Sequence, residues 1–306
     1  MPLPVHSTRT IDAGELSVAY VDAGDPTATP VVLLHGFPYD IHSYTDVIPR
    51  LTDEGLRVLV PYLRGHGPTR FLSKQVEKSG QQAALAADLS AFISTLNLGS
   101  PILAGYDWGG RAACAVAALW PDKVAGLVSV NGYLVQDIAA SQLPLEPELE
   151  AGFWYFWYFA TERGRVGLRK HRREIAEVIW KRNSPAWAFS PDELDRSAQA
   201  FDNPDYVDIV IHSYRHRLGY APGAPQFESI ERRLSQQPEI SVPTITLDGL
   251  ADGNFPATDG SAQARHFIGF REHRQVPQAG HNLPAEQPQA FADAILAMKK
   301  ISKESR

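Results

Sequence analysis

The segment Gly105-Tyr106-Asp107-Trp108-Gly109-Gly110 decides how this chain folds. It follows a short apolar run at residues 101–104 and precedes a helical pattern, so it marks a sharp turn from a buried strand into a helix. Glycines on both sides of Asp107 are typical of a tight turn that presents a reactive side chain. Alternatively, Asp107 is a plain loop residue that caps the following helix. Motifs elsewhere in the chain are needed to distinguish these two interpretations.

Short apolar runs alternate with helical patterns through the first 130 or so residues. The runs lie at residues 31–34, 57–60, 101–104 and 124–130, and residues 81–96 have the clearest helical spacing. β-Branched runs separated by helices predict an α/β fold, with a mostly parallel central sheet and helices on both faces. The alternating segment at residues 15–20 predicts an antiparallel edge hairpin.

The strand pattern stops after Gly132 and returns at residues 242–247. Between them lie aromatic and charged helical patterns, one of which opens with Ser190-Pro191-Asp192-Glu193, a favourable helix start. A final helix follows His281. We therefore predict a core of residues 1–132 and 236–306 and a helical cap domain of residues 133–235 over the carboxyl ends of the strands.

Composition narrows the function classes. The 306 residues are 44% apolar and 21% charged, with a formal charge of −6. This composition is ordinary for a globular protein and argues against nucleic acid or an anionic membrane as a partner. A single cysteine, Cys114, excludes an intramolecular disulfide. No metal-ligand spacing and no G-x-G-x-x-G after a strand occur, so we expect neither a metal nor a cofactor.

The expected location follows from two further sequence features. The start of the chain, Met1-Pro2-Leu3-Pro4-Val5-His6, lacks the apolar core of a secretory signal. No apolar stretch approaches the ~20 residues that span a bilayer. We therefore expect a cytoplasmic protein with no membrane partner. Whether it forms a homodimer stays open.

Three further segments supply partners for Asp107. His35-Gly36-Phe37-Pro38 ends the first core strand, Asp252 lies in a loop after residues 242–247, and Gly280-His281 precedes the last helix. A nucleophile followed by an acid and then a histidine is the order of an α/β-hydrolase triad. Asp248, at the strand end, competes with Asp252 for the acid position, and we favour Asp252.

Together these motifs resemble the branch of the α/β-hydrolase-fold family that epoxide hydrolases and haloalkane dehalogenases share. The resemblance covers nearly the whole chain and is most specific in the core. It implies that Asp107 forms a covalent alkyl ester and that His281, oriented by Asp252, activates water. It also implies an oxyanion hole formed by the amides of Phe37 and Trp108.

Protonation of the leaving group separates the two activities, because an opened epoxide departs as a strong base whereas a halide does not. In epoxide hydrolases two cap tyrosines hydrogen-bond to the ring oxygen, and Tyr155 and Tyr214 match their positions. Tyr158 could replace Tyr155, and simple aromatic packing is the alternative for both positions. The resemblance thus implies an epoxide hydrolase that acts on a small hydrophobic epoxide. The expected pocket residues are His35, Pro38, Trp154, Trp157 and Tyr158.

Two alternatives remain. A haloalkane or haloacetate dehalogenase would use the same Asp107, although Phe37 stands where haloalkane dehalogenases commonly have Asn. Haloacetate enzymes place an arginine pair beside the nucleophile, where this chain has Trp108 and only Arg111. A non-catalytic binding protein on this fold usually lacks a triad member, and here all three positions are filled. Tyr62 stands where relatives usually have Asp, and the sequence offers no functional explanation for this difference.

Overall fold

A nine-stranded sheet forms the centre of the protein, whose computed structural model describes residues 8–304. Its strands are β1 (Thr8–Ala13), β2 (Leu16–Ala23), β3 (Thr29–Leu34), β4 (Leu56–Pro61), β5 (Arg70–Phe71), β6 (Ile102–Gly105), β7 (Gly126–Val130), β8 (Thr244–Gly249) and β9 (Arg271–Val276). The order is β1-β2-β4-β3-β6-β7-β8-β9, with β5 against β2. β2 pairs antiparallel with β1, β4 and β5, and the later neighbours pair parallel. The predicted α/β fold with an antiparallel edge hairpin is confirmed.

The burial of each strand explains why some strands are recognisable in the sequence and one is not. Every side chain of β6, β7 and β8 is buried, as expected for strands covered on both faces. The edge strand β9 has the sequence REHRQV and only one buried residue, so it has no apolar run and was not predicted. Charged side chains are common on edge strands because they discourage pairing with other chains.

Twelve α-helices accompany the sheet within the described residues. They are α1 (Val47–Asp53), α2 (Gln82–Thr95), α3 (Asp107–Leu119), α4 (Pro147–Gly152), α5 (Trp154–Ala160), α6 (Glu162–Lys170), α7 (Arg172–Asn183), α8 (Pro191–Ala198), α9 (Tyr206–Arg217), α10 (Glu228–Leu234), α11 (Leu283–Glu286) and α12 (Pro288–Glu304). The helices α4 to α10 all lie between β7 and β8, and residues 131–243 contain no strand. This is the part of the chain in which the sequence places the helical cap.

Side-chain and backbone hydrogen bonds attach this helical insert to the loops after β3 and β4. The indole of Trp180 donates to the carbonyl oxygen of Pro38 at 2.8 Å, and the hydroxyl of Ser197 donates to Asp40 at 2.8 Å. The amide of Gly67 donates to the carbonyl oxygen of Ala200, also at 2.8 Å. Since both loops follow the carboxyl ends of their strands, the insert lies over the edge of the sheet where ligands bind in such folds.

Two of the predictions from the sequence concern a secretory signal at the start of the chain and a helix that spans a membrane. Residues 1–6, on which the argument about a secretory signal depends, lie outside the described residues. Across residues 8–304, no helix combines the length and apolarity needed to cross a bilayer.

Candidate active site

Asp107 is the first residue of α3 and has a left-handed backbone, with φ of +48°. A residue other than glycine pays for this conformation, and Asp tolerates it better than most. The surrounding backbones are so close that glycine is required. A Cβ on Gly109 would lie 2.1 Å from the carbonyl oxygen of Leu34, and one on Gly36 would lie 2.5 Å from the Cβ of Asp107. The turn therefore forces the Asp107 side chain against the segment that follows β3.

That segment directs a backbone donor at the carboxylate. The amide of Phe37 donates to Oδ1 of Asp107 at 2.8 Å. His35 holds the turn in place, since its Nε2 accepts from the amide of Leu63 at 3.1 Å and its Nδ1 contacts the carbonyl oxygen of Gly36 at 3.0 Å. Both ring nitrogens of His35 are thus engaged by backbone groups and offer a substrate no polar contact. The role of the Trp108 amide stays a prediction.

His281 lies between two carboxylates. Its Nδ1 is 3.0 Å from Oδ2 of Asp252, and its Nε2 is 3.7 Å from Oδ2 of Asp107, an ion-pair contact longer than a hydrogen bond. The ring is almost fully buried and stacks on Phe255 at 5.6 Å between centroids. These contacts orient the imidazole with one nitrogen on each acid.

Asp252, rather than Asp248, contacts His281. Oδ1 of Asp252 accepts from the amides of Asn254 and Phe255 at 2.8 and 2.9 Å, and its Oδ2 also accepts from the Asn131 side chain at 3.2 Å. Asp248 instead accepts from the amide and hydroxyl of Thr258, both at 2.9 Å. The structure therefore brings Asp107, His281 and Asp252 together, whereas Asp248 binds a loop residue instead.

Charges stabilise the ionised forms of Asp107 and His281. Burial alone would raise the pKa of Asp107, but the hydrogen bond and charge of His281, followed by the charge of Arg111 and the hydrogen bond from the Phe37 amide, lower the pKa to about 2. Burial alone would lower the pKa of His281, but Asp252 and Asp107 raise the pKa to about 10. At neutral pH the Asp107 carboxylate is therefore ionised, and the His281 imidazole carries a proton.

This arrangement predicts a pH-dependent stability. Because the pKa of His281 is raised from 6.5 to about 10, its contribution to folding is complete below about pH 6.5 and disappears as the pH rises through about 10. Asp107→Asn removes one of the two charges responsible, so the variant should lose less stability than the wild type between pH 6.5 and pH 9.5. Urea denaturation of both proteins at the two pH values measures this, and equal losses would contradict the assignment.

Tyr155 and Tyr214 both lie beside the segment that holds Asp107. Their rings pack edge-on at 5.6 Å, and the ring of Phe37 is 6.4 Å from Tyr155 and 5.4 Å from Tyr214. Burial, with the charge of Asp107 contributing, raises the pKa of Tyr155. Burial and then the neighbouring Tyr155 raise the pKa of Tyr214. Both phenols therefore keep their protons at neutral pH and are able to donate them.

The other predicted pocket residues have mixed positions. The hydroxyl of Tyr158 lies against α6, at the position that a Cβ on Gly167 would occupy. Trp157 is 43% exposed and donates to Glu150 at 2.9 Å, so its prediction as a pocket residue is wrong. Trp154 is half-buried against Tyr155 and Tyr158. Pro38 is buried, and its carbonyl oxygen accepts the hydrogen bond from Trp180 of α7.

The structure adds residues that sequence reasoning missed. Asn131 donates to Asp252 and follows β7 directly with a left-handed φ of +64°, and the pair Asn131-Gly132 after an apolar run was the available sequence signal. Asn254 contacts both the Asp252 loop and the hydroxyl of Tyr155, the latter at 3.4 Å. Tyr62 packs its ring over Gly67, where a Cβ would lie 2.5 Å away, which gives that residue a structural role.

One buried donor next to the nucleophile, the indole N–H of Trp108, has only the Tyr214 phenol as a polar neighbour and makes no hydrogen bond of normal geometry within residues 8–304. Trp108 is fully buried and stacks on Phe37 at 5.5 Å. The indole also lies 6.1 Å from the ring of Tyr214. A buried unpaired donor costs free energy, which a bound polar atom would recover.

Comparison with known proteins finds epoxide hydrolases and haloalkane dehalogenases among the similar chains. Epoxide hydrolase A of Mycobacterium tuberculosis is 26% identical over 94% of this chain and 95% of its own. A haloalkane dehalogenase of Mycolicibacterium paratuberculosis is 38% identical over 40% of each chain. The crystal structure of a Klebsiella pneumoniae protein described as a candidate epoxide hydrolase is 46% identical, covers 96% of this chain and 97% of its own, and superposes with a TM-score of 0.93. The profile of the α/β hydrolase fold matches residues 29–288, so the chain belongs to the α/β-hydrolase-fold family.

Proposed function

We propose that the protein is an epoxide hydrolase that opens an epoxide to a vicinal diol through an alkyl ester on Asp107. The low pKa of Asp107 supports this role, since only the ionised carboxylate attacks carbon. The names of the most similar proteins point the same way. The observation that carries the choice of an epoxide is the pair of buried, protonated phenols of Tyr155 and Tyr214 beside the nucleophile.

The first step forms a bond between Asp107 and a ring carbon while the bond from that carbon to the ring oxygen breaks. The ring oxygen takes a proton from a cap phenol, which regains one from solvent. Esterification also removes the charge of Asp107, one of the two that raise the pKa of His281. The histidine then releases its proton and becomes competent as a base.

In the second step His281 takes a proton from water, and the water oxygen attacks the ester carbonyl of Asp107. The amides of Phe37 and Trp108 stabilise the oxyanion. Collapse of the intermediate breaks the bond between the carbonyl carbon and the ester oxygen, which came from Asp107, and His281 returns the proton to the leaving diol. One oxygen of Asp107 leaves with the product and the water oxygen replaces it. A single turnover in ¹⁸O-labelled water should therefore place the label on Asp107.

Removing a phenol should slow epoxide opening specifically. We expect Tyr214→Phe and Tyr155→Phe each to lower kcat/KM for styrene oxide by on the order of 10²-fold, and the double variant to lose more, because the departing oxygen is no longer protonated. Release of halide from haloalkanes needs no proton and should not follow this pattern. Diol formation measured by chromatography, beside halide release by ion chromatography, checks both expectations.

Tyr158→Phe is the matched control, since its hydroxyl packs against α6. It should retain the activity of the parent protein. Loss of activity in Tyr158→Phe, with none in the other two variants, would transfer the role to Tyr158. Halide release without diol formation across a panel of styrene oxide, haloalkanes and haloacetates would overturn the epoxide assignment.

Cleavage of a carbon–halogen bond is the second candidate, and one observation favours it. The unpaired indole N–H of Trp108 is the weak, buried donor that a departing halide requires. The same donor is able to contact an epoxide oxygen, however, and a halide would leave the two phenols without a chemical role. We therefore place dehalogenation second.

A further inference from the structure

Two arginines beside the proposed site, the buried Arg217 and the half-buried Arg111, form no ion pair with any acid among residues 8–304. Arg217 is only 4% exposed, and its guanidinium stacks on Tyr214 at 4.8 Å and on Phe156 at 5.0 Å. Arg111 makes one long hydrogen bond, 3.3 Å to the side chain of Gln136. The Nε atoms of both arginines are buried and have no acceptor within residues 8–304.

This situation differs from that of a structural arginine in the same protein. Arg64 is equally buried, but its guanidinium donates twice to Asp88, at 2.6 and 2.7 Å, and once to the carbonyl oxygen of Ser79 at 2.6 Å. Buried charges are normally paired in this way because an unpaired one is costly. Arg217 lacks that compensation, and Arg111 has only the nearby charge of Asp107, with which it forms no ion pair, so a bound anion would supply what both are missing.

The two arginines also lie next to each other and to the reacting groups. Both line one small cleft that opens to solvent. Burial and then the neighbouring charge of Arg217 lower the pKa of Arg111 to about 10, while Asp107 opposes the shift. Arg111 is four residues after Asp107 on α3, and Arg217 is three residues after Tyr214 on α9, so each lies one helical turn from a proposed catalytic group.

The nearby acid is already occupied. Glu231 accepts from the side chains of Gln81 and Gln82 at 3.0 and 2.9 Å, and from the amide of Ala83 at 3.3 Å. It caps the start of α2 and makes no ion pair with either arginine within the part of the chain that the structure describes. The cleft therefore contains two guanidinium groups, and a guanidinium group is well suited to pair with a carboxylate.

We infer that Arg111 and Arg217 bind a carboxylate of the substrate, so that the enzyme prefers short-chain epoxy acids to neutral epoxides. This inference rests on the proposed function for the nature of the reacting group, but not for the anion site itself. A carboxylate in the cleft would place the epoxide a few bonds away, near Asp107 and Tyr214. The two guanidinium charges would also offset the repulsion between an acidic substrate and Asp107.

The kinetic test compares epoxy acids of increasing chain length with their primary amides, which have nearly the same size and no charge. We expect kcat/KM for at least one acid to exceed that of its amide by 10-fold or more. Arg217→Met should abolish this preference, since Met keeps an apolar side chain against Phe156 and Tyr214 without the charge. Arg217→Lys should retain part of it. Arg215→Met, a loss of charge two residues earlier on α9 and outside the cleft, is the matched control and should keep the preference.

A binding measurement separates this inference from the proposed chemistry. Butanoate should raise the thermal unfolding midpoint of the wild type and of Arg215→Met, whereas butanamide, or sodium chloride at equal ionic strength, should not. Arg217→Met should lose the response. Butanoate binding without turnover of any epoxide would support the anion site and overturn the epoxide assignment. Turnover of neutral epoxides with no acid preference, and no stabilisation of the wild type by butanoate, would overturn the inference and leave the proposed function standing.

Discussion

Replacing Asp107 with Asn is expected to lower kcat for epoxide opening by at least about 10⁴-fold, because the amide does not form the covalent ester. Asn is the appropriate substitute since it has the same shape and tolerates the left-handed backbone, φ of +48°, that this position requires. The Phe37 amide, which donates to Oδ1 of Asp107 at 2.8 Å, retains an oxygen acceptor in the variant. Steady-state diol formation measures the effect.

The control for this experiment is the fold and the chemical identity of the variant. The circular dichroism spectrum should match that of the wild type, and peptide mass spectrometry should exclude deamidation of the introduced amide back to a carboxylate. A variant preparation that contains no detectable deamidated protein and still retains a tenth of the wild-type rate would show that Asp107 is not the nucleophile.

Replacing His281 with Gln is expected to stop the second step while the first continues. The ester on Asp107 should accumulate, and steady-state kcat should fall by on the order of 10⁴-fold, since no base activates the water. Intact mass spectrometry should show an increase equal to the whole epoxide. An adduct formed from a haloalkane would instead lack the halogen, so one spectrum separates the two chemistries.

The matched control is Asp248→Asn, because Asp248 binds Thr258 and its closest approach to a histidine is 3.9 Å to His273, not to His281. This variant should turn over normally and accumulate no adduct. Asp252→Asn, by contrast, should slow ester hydrolysis because the partner that orients His281 is weakened. If His281→Gln forms no adduct with any epoxide or haloalkane, a non-catalytic binding role becomes the better interpretation.

Local sequence patterns were sufficient for the core of this protein. The run before Gly105 is a fully buried strand, and the turn around Asp107 admits only glycine at closely packed positions, so both left a clear signal in the residue types. The order of Asp107, Asp252 and His281 follows from the connectivity of the sheet, which brings the carboxyl ends of parallel strands to one edge. The polar strand β9 escaped because an edge strand needs no continuous apolar run.

The packing of the inserted helices was decided only by the tertiary structure. In the run of seven aromatic residues at 153–159 each ring is a plausible pocket residue, and which of them faces Asp107 depends on the face that α5 turns towards the core. Tyr155 lies on that face, Tyr158 turns towards Gly167, and Trp157 is at the surface. The sequence also could not show that Arg217 forms no ion pair among residues 8–304. The sequence gives the charge of a residue, but whether that charge is paired depends on the groups packed around it.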